Sequence, residues 1–452
     1  MIAEAWLAII ACLVVLSLTV LLVKMAPVTM ALPLSYMINL LLIHLPGAYA
    51  FAISGGEYSG INNSTDAIST GIMLTAIAAL CFLIGCSLSV ANNRNIGYSE
   101  RWADKPIDRV FIVFCLGFGS ILSFGVGSLR GIPTIGAAIY FGSGIWMLAV
   151  MTSLAQAVRY RNSMKFITWM AILFVYPFLV LVLSGFMSYG ATAVIIVGSL
   201  AVIQMKSMMR SILLIVVIGY LGLSVFVNYF ESRTELRSTL WSGAGFEERV
   251  GAVTDVFSQA KLFSPNNPRH LRALTMRLNQ NEFVGVAAGR LNTGQAEYLH
   301  GRSFYEALIS PIPRAFWKNK PTEGGSGTVV REMTGMYLRT DTSWGVGNVM
   351  ELYINFGLWS LIPGFLLLGW LIGWFDRRAA MAFGTADPSR ALLYFLPGVA
   401  LIQPNGSLVE VVGGAFAALL AAVGLRLAWV MFKPRLVLAR DQAPQQGGLA
   451  PQ

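Results

Sequence analysis

The chain has 452 residues, 56% hydrophobic and only 12% charged, which leaves too few charges to cover a soluble globule of that size. Several apolar runs reach about 20 residues, enough to cross a bilayer as a helix, and their apolarity is continuous rather than alternating, which excludes a transmembrane barrel. The net charge of +10 would suggest nucleic acid in a soluble protein, but basic residues here gather in short connections and one long insert, so no nucleic-acid partner is expected.

The fold class expected is an all-α polytopic integral membrane protein. Hydropathy predicts eleven spans, at residues 5–23, 30–53, 68–90, 110–129, 135–158, 166–183, 190–205, 211–230, 350–375, 391–402 and 410–432. This divides the chain into transmembrane helices 1–8 (residues 1–230), an insert (231–345), transmembrane helices 9–11 (346–436) and a polar tail (437–452) read as disordered. The first run follows Glu4 without a basic flank, so it reads as a retained span rather than a cleavable signal.

Placing the N-terminus outside puts sixteen Lys and Arg residues in the inner connections, Arg377, Arg378 and Arg390 among them, against Arg130 alone in the short outer ones. By the positive-inside rule the insert then faces outward, the N-terminus is periplasmic, the C-terminus is cytoplasmic, and the expected location is a bacterial inner membrane. Arg426 snorkels from the last span. Cys12, Cys81, Cys86 and Cys115 all fall within predicted spans and no metal-type Cys/His spacing occurs, so neither a disulfide, a metal nor a cofactor is expected. Two segments stay open: Ser184–Gly190 is a tight turn or a break in one long helix, and Gln403–Ser407 a turn or a re-entrant dip. His44, followed by Pro46, reads as a packed residue at a helix break.

The insert carries 14 of the 32 Lys and Arg residues. Helical spacing of Phe246, Val250, Val253 and Phe257, and of Leu271, Leu274 and Leu278, predicts short amphipathic helices over 246–261 and 268–279, lying on the membrane or across the mouth of the bundle. Ser303–Ile309 is a third, stopped by Pro311 and Pro313. The Gly-rich stretch after Pro321 reads as a lid or as slack chain. Guanidinium forks match phosphate oxygens and ammonium groups add mobile charge, so Arg314, Lys318 and Lys320, with Trp317 between them, form a candidate anion clamp. The competing reading is a basic segment on anionic headgroups. Arg277 and Arg290 flank the apolar run Phe283–Ala288, which suits a helix tucked against the bundle and would turn both charges towards a cleft.

Glu351 sits where the chain re-enters the membrane. A carboxyl there is costly unless paired or hydrated, which makes it a candidate general base or arginine partner, with Asn355 one turn on along the same face. His300 is the second candidate base.

At these residues the chain resembles the Wzy-type oligosaccharide repeat-unit polymerases of bacterial O-antigen and exopolysaccharide pathways. The likeness lies in the many spans with one large late loop, in Ile312–Pro321 (Ile-Pro-Arg-Ala-Phe-Trp-Lys-Asn-Lys-Pro), and in Glu351–Gly357 (Glu-Leu-Tyr-Ile-Asn-Phe-Gly). The resemblance implies a glycosyltransferase of GT-C-like architecture that passes a growing glycan from undecaprenyl pyrophosphate to a lipid-linked repeat unit. It also implies that Glu351 or His300 takes the acceptor proton. Arg277, Arg290, Arg314, Lys318, Lys320, Trp317, Tyr353 and Asn355 would then hold pyrophosphate and glycan. Expected partners are the lipid-linked oligosaccharide, membrane lipid, and a chain-length regulator and flippase of the same pathway. An O-antigen ligase, acting on a lipid A core acceptor, shares donor and architecture. A flippase or transporter would distribute ionisable residues through several spans, whereas here they collect in the insert.

Overall fold

A computed structural model describes residues 2–26, 28–57, 65–91, 108–125, 135–184, 187–205, 207–242, 244–313, 316–317, 319–320, 326–337, 345–385 and 387–442. Among the described residues every regular element is helical. Helices α1 (Ile2–Met25), α2 (Leu32–Ile53) and α3 (Thr65–Ala91) come first. They are followed by α4 (Arg109–Ser120), α5 (Ile135–Ser143), α6 (Ile145–Arg159), α7 (Ser163–Ser184), α8 (Met187–Gln204) and α9 (Met208–Trp241). The insert holds α10 (Phe246–Ser258), α11 (Pro268–Arg277), α12 (Gln280–Asn292), α13 (Arg302–Ile309) and α14 (Ser326–Thr334). The chain closes with α15 (Asn348–Phe356), α16 (Leu358–Phe383), α17 (Leu392–Ala400) and α18 (Leu408–Gln442).

Among the described residues eight helical stretches, one of them α5 and α6 together, are long and apolar enough to cross a membrane, so the chain is a multi-pass helical membrane protein. The difference from eleven predicted spans has local causes. Helix α4 passes into a π-helical turn at Ile121–Gly125, and the apolar part of α8 is short. Helix α17 has nine residues, about 14 Å of rise, less than half the hydrocarbon thickness. The span predicted at 350–375 is two helices, because Gly357 adopts φ 62°, ψ −137°, a conformation that side-chain-bearing residues rarely reach. Helix α18 continues to Gln442, so the tail begins later than 437.

Helix α3 is the axis of the bundle, packed against α1, α16 and α12. The contact with α12 is backbone to backbone: a Cβ on Gly71 would collide with the Asn281 carbonyl, and one on Gly285 with the Ala67 carbonyl. Phe283, Val284, Ala287 and Ala288 therefore belong to the main core, and the middle of the insert is built into the bundle, as the apolar run predicts. Around it, α11 packs on α2 and α9, α10 on α9 and α7, and α13 on α18 and α15. Arg377 departs from its expected place in an exposed connection. It is 7% exposed and its guanidinium donates to the Ser89 hydroxyl. Its neighbour Asp376, also buried, accepts from the Thr29 hydroxyl (2.7 Å) and from Met30 N (2.9 Å) and Leu32 N (3.0 Å), so it caps α2 from another helix.

Candidate functional site

Helix α15 enters the bundle with its N-terminus innermost. Asn348 to Asn355 are all buried, whereas Phe356, Leu358 and Trp359 are exposed. Non-helical backbone at such a position needs protein partners, and the turn between α17 and α18 supplies them reciprocally. Asn348 donates its backbone N–H to Pro404 O (2.8 Å) and its side-chain amide to Gly406 O (3.2 Å), while its side-chain oxygen accepts from the Tyr36 hydroxyl (2.9 Å). The start of α18 is a capping box: Ser407 N donates to the Glu410 carboxylate (2.9 Å), and Glu410 N to the Ser407 hydroxyl (3.2 Å). One further orphan donor of that helix, Leu408 N, reaches Glu351 Oε2 at 2.7 Å. Two carbonyls of the Gln403–Ser407 segment, those of Pro404 and Gly406, thus accept from Asn348 of α15.

Glu351 is 2% exposed. Burial pushes its carboxyl up to about 8; the bonds from Leu408 N and the Ser303 hydroxyl oppose the shift, and the Glu410 and Glu306 carboxylates add to it. A carboxyl poised near neutral pH gives up and takes back protons readily, the requirement for general acid–base work. Asn355, one turn on, donates to the Ser303 hydroxyl (2.8 Å) and Glu351 O (2.7 Å) and accepts from Gly301 N (3.1 Å), tying α15 to the start of α13. His300, with φ 49°, precedes Gly301; it is exposed, its ring lying 6.1 Å from Phe356 and 6.4 Å from Tyr298. Tyr353 is buried, and burial together with the Tyr298 hydroxyl raises its phenol.

The structure thus gathers Glu351, Asn355, Tyr353 and His300 at one junction and adds Ser303, Tyr298 and Glu410, which the sequence reading did not single out. Glu410 was recoverable, since Ser407-Leu-Val-Glu410 spells a capping box. Nothing local marks Ser303. Those of the expected cations that are described lie elsewhere. Lys320 is buried and donates to the carbonyls of Ser310 (2.9 Å) and Ile312 (2.8 Å), closing the C-terminal end of α13. Arg290 donates to Gln295 O (3.1 Å) at the end of α12 and packs against Gly335. Arg277 faces Arg233 and Arg237. Trp317 is half-buried, and Arg314 and Lys318 lie outside the described residues. Glu282 is buried within α12. His44 is packed as expected, its Nδ1 2.8 Å from the Asn281 side-chain oxygen and 3.0 Å from the Thr75 hydroxyl. Among the described residues no group of three His, Cys, Asp or Glu side chains is arranged to hold a metal ion.

No curated protein and no solved structure matches the chain. A family model described as Domain of unknown function (DUF8712) matches residues 57–395, a stretch that runs from just before α3 into α17 and takes in the whole insert and Glu351. The chain belongs to the DUF8712 family.

Proposed function

We propose that this protein is a glycosyltransferase of lipid-linked oligosaccharides, a repeat-unit polymerase of the Wzy type in a bacterial inner membrane. The observation that carries the reading is Glu351: a carboxyl held near 8 where a large basic insert meets a membrane bundle. In the proposed step an acceptor hydroxyl oxygen attacks the anomeric carbon of the glycan on undecaprenyl pyrophosphate. The bond from that carbon to the pyrophosphate oxygen breaks, the lipid pyrophosphate leaves with the electron pair, and the hydroxyl proton passes to the Glu351 carboxylate. Cations of the insert offset the charge on the leaving group. Because Glu351 is covered, the acceptor reaches it when α13, which supplies Ser303, lifts from α15. The resemblance of Ile312–Pro321 and Glu351–Gly357 to that family supports the choice of substrate. The insert then faces the periplasm, as the distribution of basic residues favours.

The test is incubation of purified protein with radiolabelled lipid-linked repeat unit. A ladder of longer glycans supports the polymerase. Transfer that appears only when lipid A core is added supports a ligase, and no transfer in either format, by folded protein, removes the reading.

A further inference from the structure

The feature that the proposed chemistry leaves unused is the outward side of α13, the helix that covers Glu351. Its inward side is accounted for: Ser303 and Ala307 are buried, and the Ser303 hydroxyl accepts from the Asn355 side-chain amide (2.8 Å). Tyr305 and Leu308, three residues apart and so on one face, are exposed, Leu308 to 77%. Ile312 and Phe316, just beyond the helix, are exposed as well, Phe316 to 86%. Arg302 borders this face at the N-terminal end and pairs with Glu332 of α14 (2.7 Å). Apolar side chains left so open call for a cover that the described residues do not supply.

Two contacts fix the depth at which α13 lies. In its N-terminal half the Phe304 ring is 6.3 Å from the ring of Phe356, two residues before the span that begins at Leu358. At its C-terminal end Ser310 stands against α18, where a Cβ on Gly413 would lie 3.3 Å from the Ser310 hydroxyl oxygen. Gly413 is three residues past Glu410, the last charge before an uncharged run from Val411 to Leu425 in the span that begins at Leu408. Both ends of α13 therefore sit where a membrane span starts. The helix runs along the plane in which headgroups give way to acyl chains, the position of an interfacial amphipathic helix.

We infer that the face formed by Tyr305, Leu308, Ile312 and Phe316 is a lipid-contact surface, seated in the headgroup–acyl boundary at the Glu351 end of the bundle, and that the bilayer thereby holds the cover of Glu351 in place. The composition suits that occupant: tyrosine is enriched at membrane interfaces, leucine, isoleucine and phenylalanine favour acyl chains, and no charge is among the four. A second copy of the chain fits less well. Four side chains on and just past an eight-residue helix fall short of the roughly 800 Å² per partner that a stable dimer buries. The surface does not depend on the reaction proposed above.

The experiment uses the full chain in nanodiscs of phosphatidylcholine and phosphatidylglycerol, with a nitroxide on single introduced cysteines. Leu308→Cys and Phe316→Cys report the proposed surface, and Leu367→Cys an exposed site within the span of α16. Asn292→Cys is the control outside the bilayer. Asn281 meets Gly71 and Gly285 meets Ala67, so α12 runs antiparallel to α3, and Asn292 lies seven residues, about 10 Å, beyond the start of that span. The four native cysteines are buried, and unsubstituted protein labelled in parallel gives their background. Collisions with oxygen, which concentrates among acyl chains, are compared with collisions with a water-soluble nickel chelate. The labels replacing Leu308 and Phe316 are expected to favour oxygen several-fold more than the label replacing Asn292, approaching the one replacing Leu367. Labels as open to the nickel chelate as the one replacing Asn292 overturn the surface. So do labels shielded from both reagents and broadened by coupling between copies, which would assign the face to a second copy of the chain. Amide hydrogen exchange tests the hold on the cover: Leu308→Glu, shown to be folded by its unfolding midpoint, should speed exchange in α13 several-fold, and unchanged exchange would overturn it. Absence of glycan transfer by a protein whose labels lie among acyl chains would remove only the proposed reaction.

Discussion

The two polar regions of this protein solve the burial of charge in opposite ways. At the α15 junction one carboxyl is enclosed, bonded to Leu408 N and Ser303, and kept near 8 by burial. At the α9–α11 corner three guanidiniums are only partly enclosed and stay cationic, Arg277 at about 10. An enclosed carboxyl neutralises itself by taking a proton, a route that arginine does not have, so an arginine cluster must find counter-charge or stay in reach of water. The first region is thereby suited to moving a proton, while the guanidiniums of the second stay charged whatever the pH.

The largest test of this division is Glu351→Gln. Glutamine keeps an acceptor for Leu408 N and removes the exchangeable proton, so transfer is expected to fall about 100-fold or more while the unfolding midpoint changes little. A variant that transfers at the native rate would reduce Glu351 to a staple. The pH dependence sharpens the point. With a carboxyl at about 8, about one-tenth is ionised at pH 7, so transfer should rise with pH and level off above 8, and Glu351→Gln should not follow that curve. Stability should run the other way. A folded-state pKa raised above the ordinary value stabilises fully below about 4.5 and ceases to do so as pH rises through about 8. The native protein should therefore lose more thermal stability than Glu351→Gln between pH 6 and pH 9.

Smaller effects probe the frame that holds the two regions. Gly285→Ala places a methyl group against the Ala67 carbonyl and should cost about 1–3 kcal/mol by separating α12 from α3, measured by denaturation in detergent. Ser407→Ala removes one half of the capping box and should cost about 1 kcal/mol. His300→Ala should alter transfer by less than about threefold if Glu351 alone is the base; a loss comparable to that of Glu351→Gln would move the proton acceptor to the exposed imidazole.

The sequence made some of this architecture readable and left other parts hidden for physical reasons. Continuous apolar runs announce spans because a bilayer demands them, and Phe283–Ala288 announced a docked helix because apolar side chains in a polar insert need cover. Helix breaks are quieter: Gly357 lies inside a segment that hydropathy reads as one span, since an averaged window does not register a single left-handed residue. The candidate base was legible as a carboxylate at a membrane entrance. Its partners were not, because Ser303 and Leu408 are distant in sequence and neither residue type is unusual. The cations were legible as a group but not in their roles. Lys320 closes a helix end, and the arginines that face Arg277 lie just past the span expected at 211–230, on the part of α9 that runs on into the insert.

The most direct measurement is infrared difference spectroscopy of the native protein and Glu351→Gln across a pH titration, because it needs no substrate. At neutral pH the native protein should show the C=O stretching band of a protonated, buried carboxylic acid, absent from the variant and disappearing with a midpoint near 8. If Glu351 is instead ionised at neutral pH and titrates in the ordinary carboxylate range, it is not the poised proton acceptor on which the proposed reaction depends.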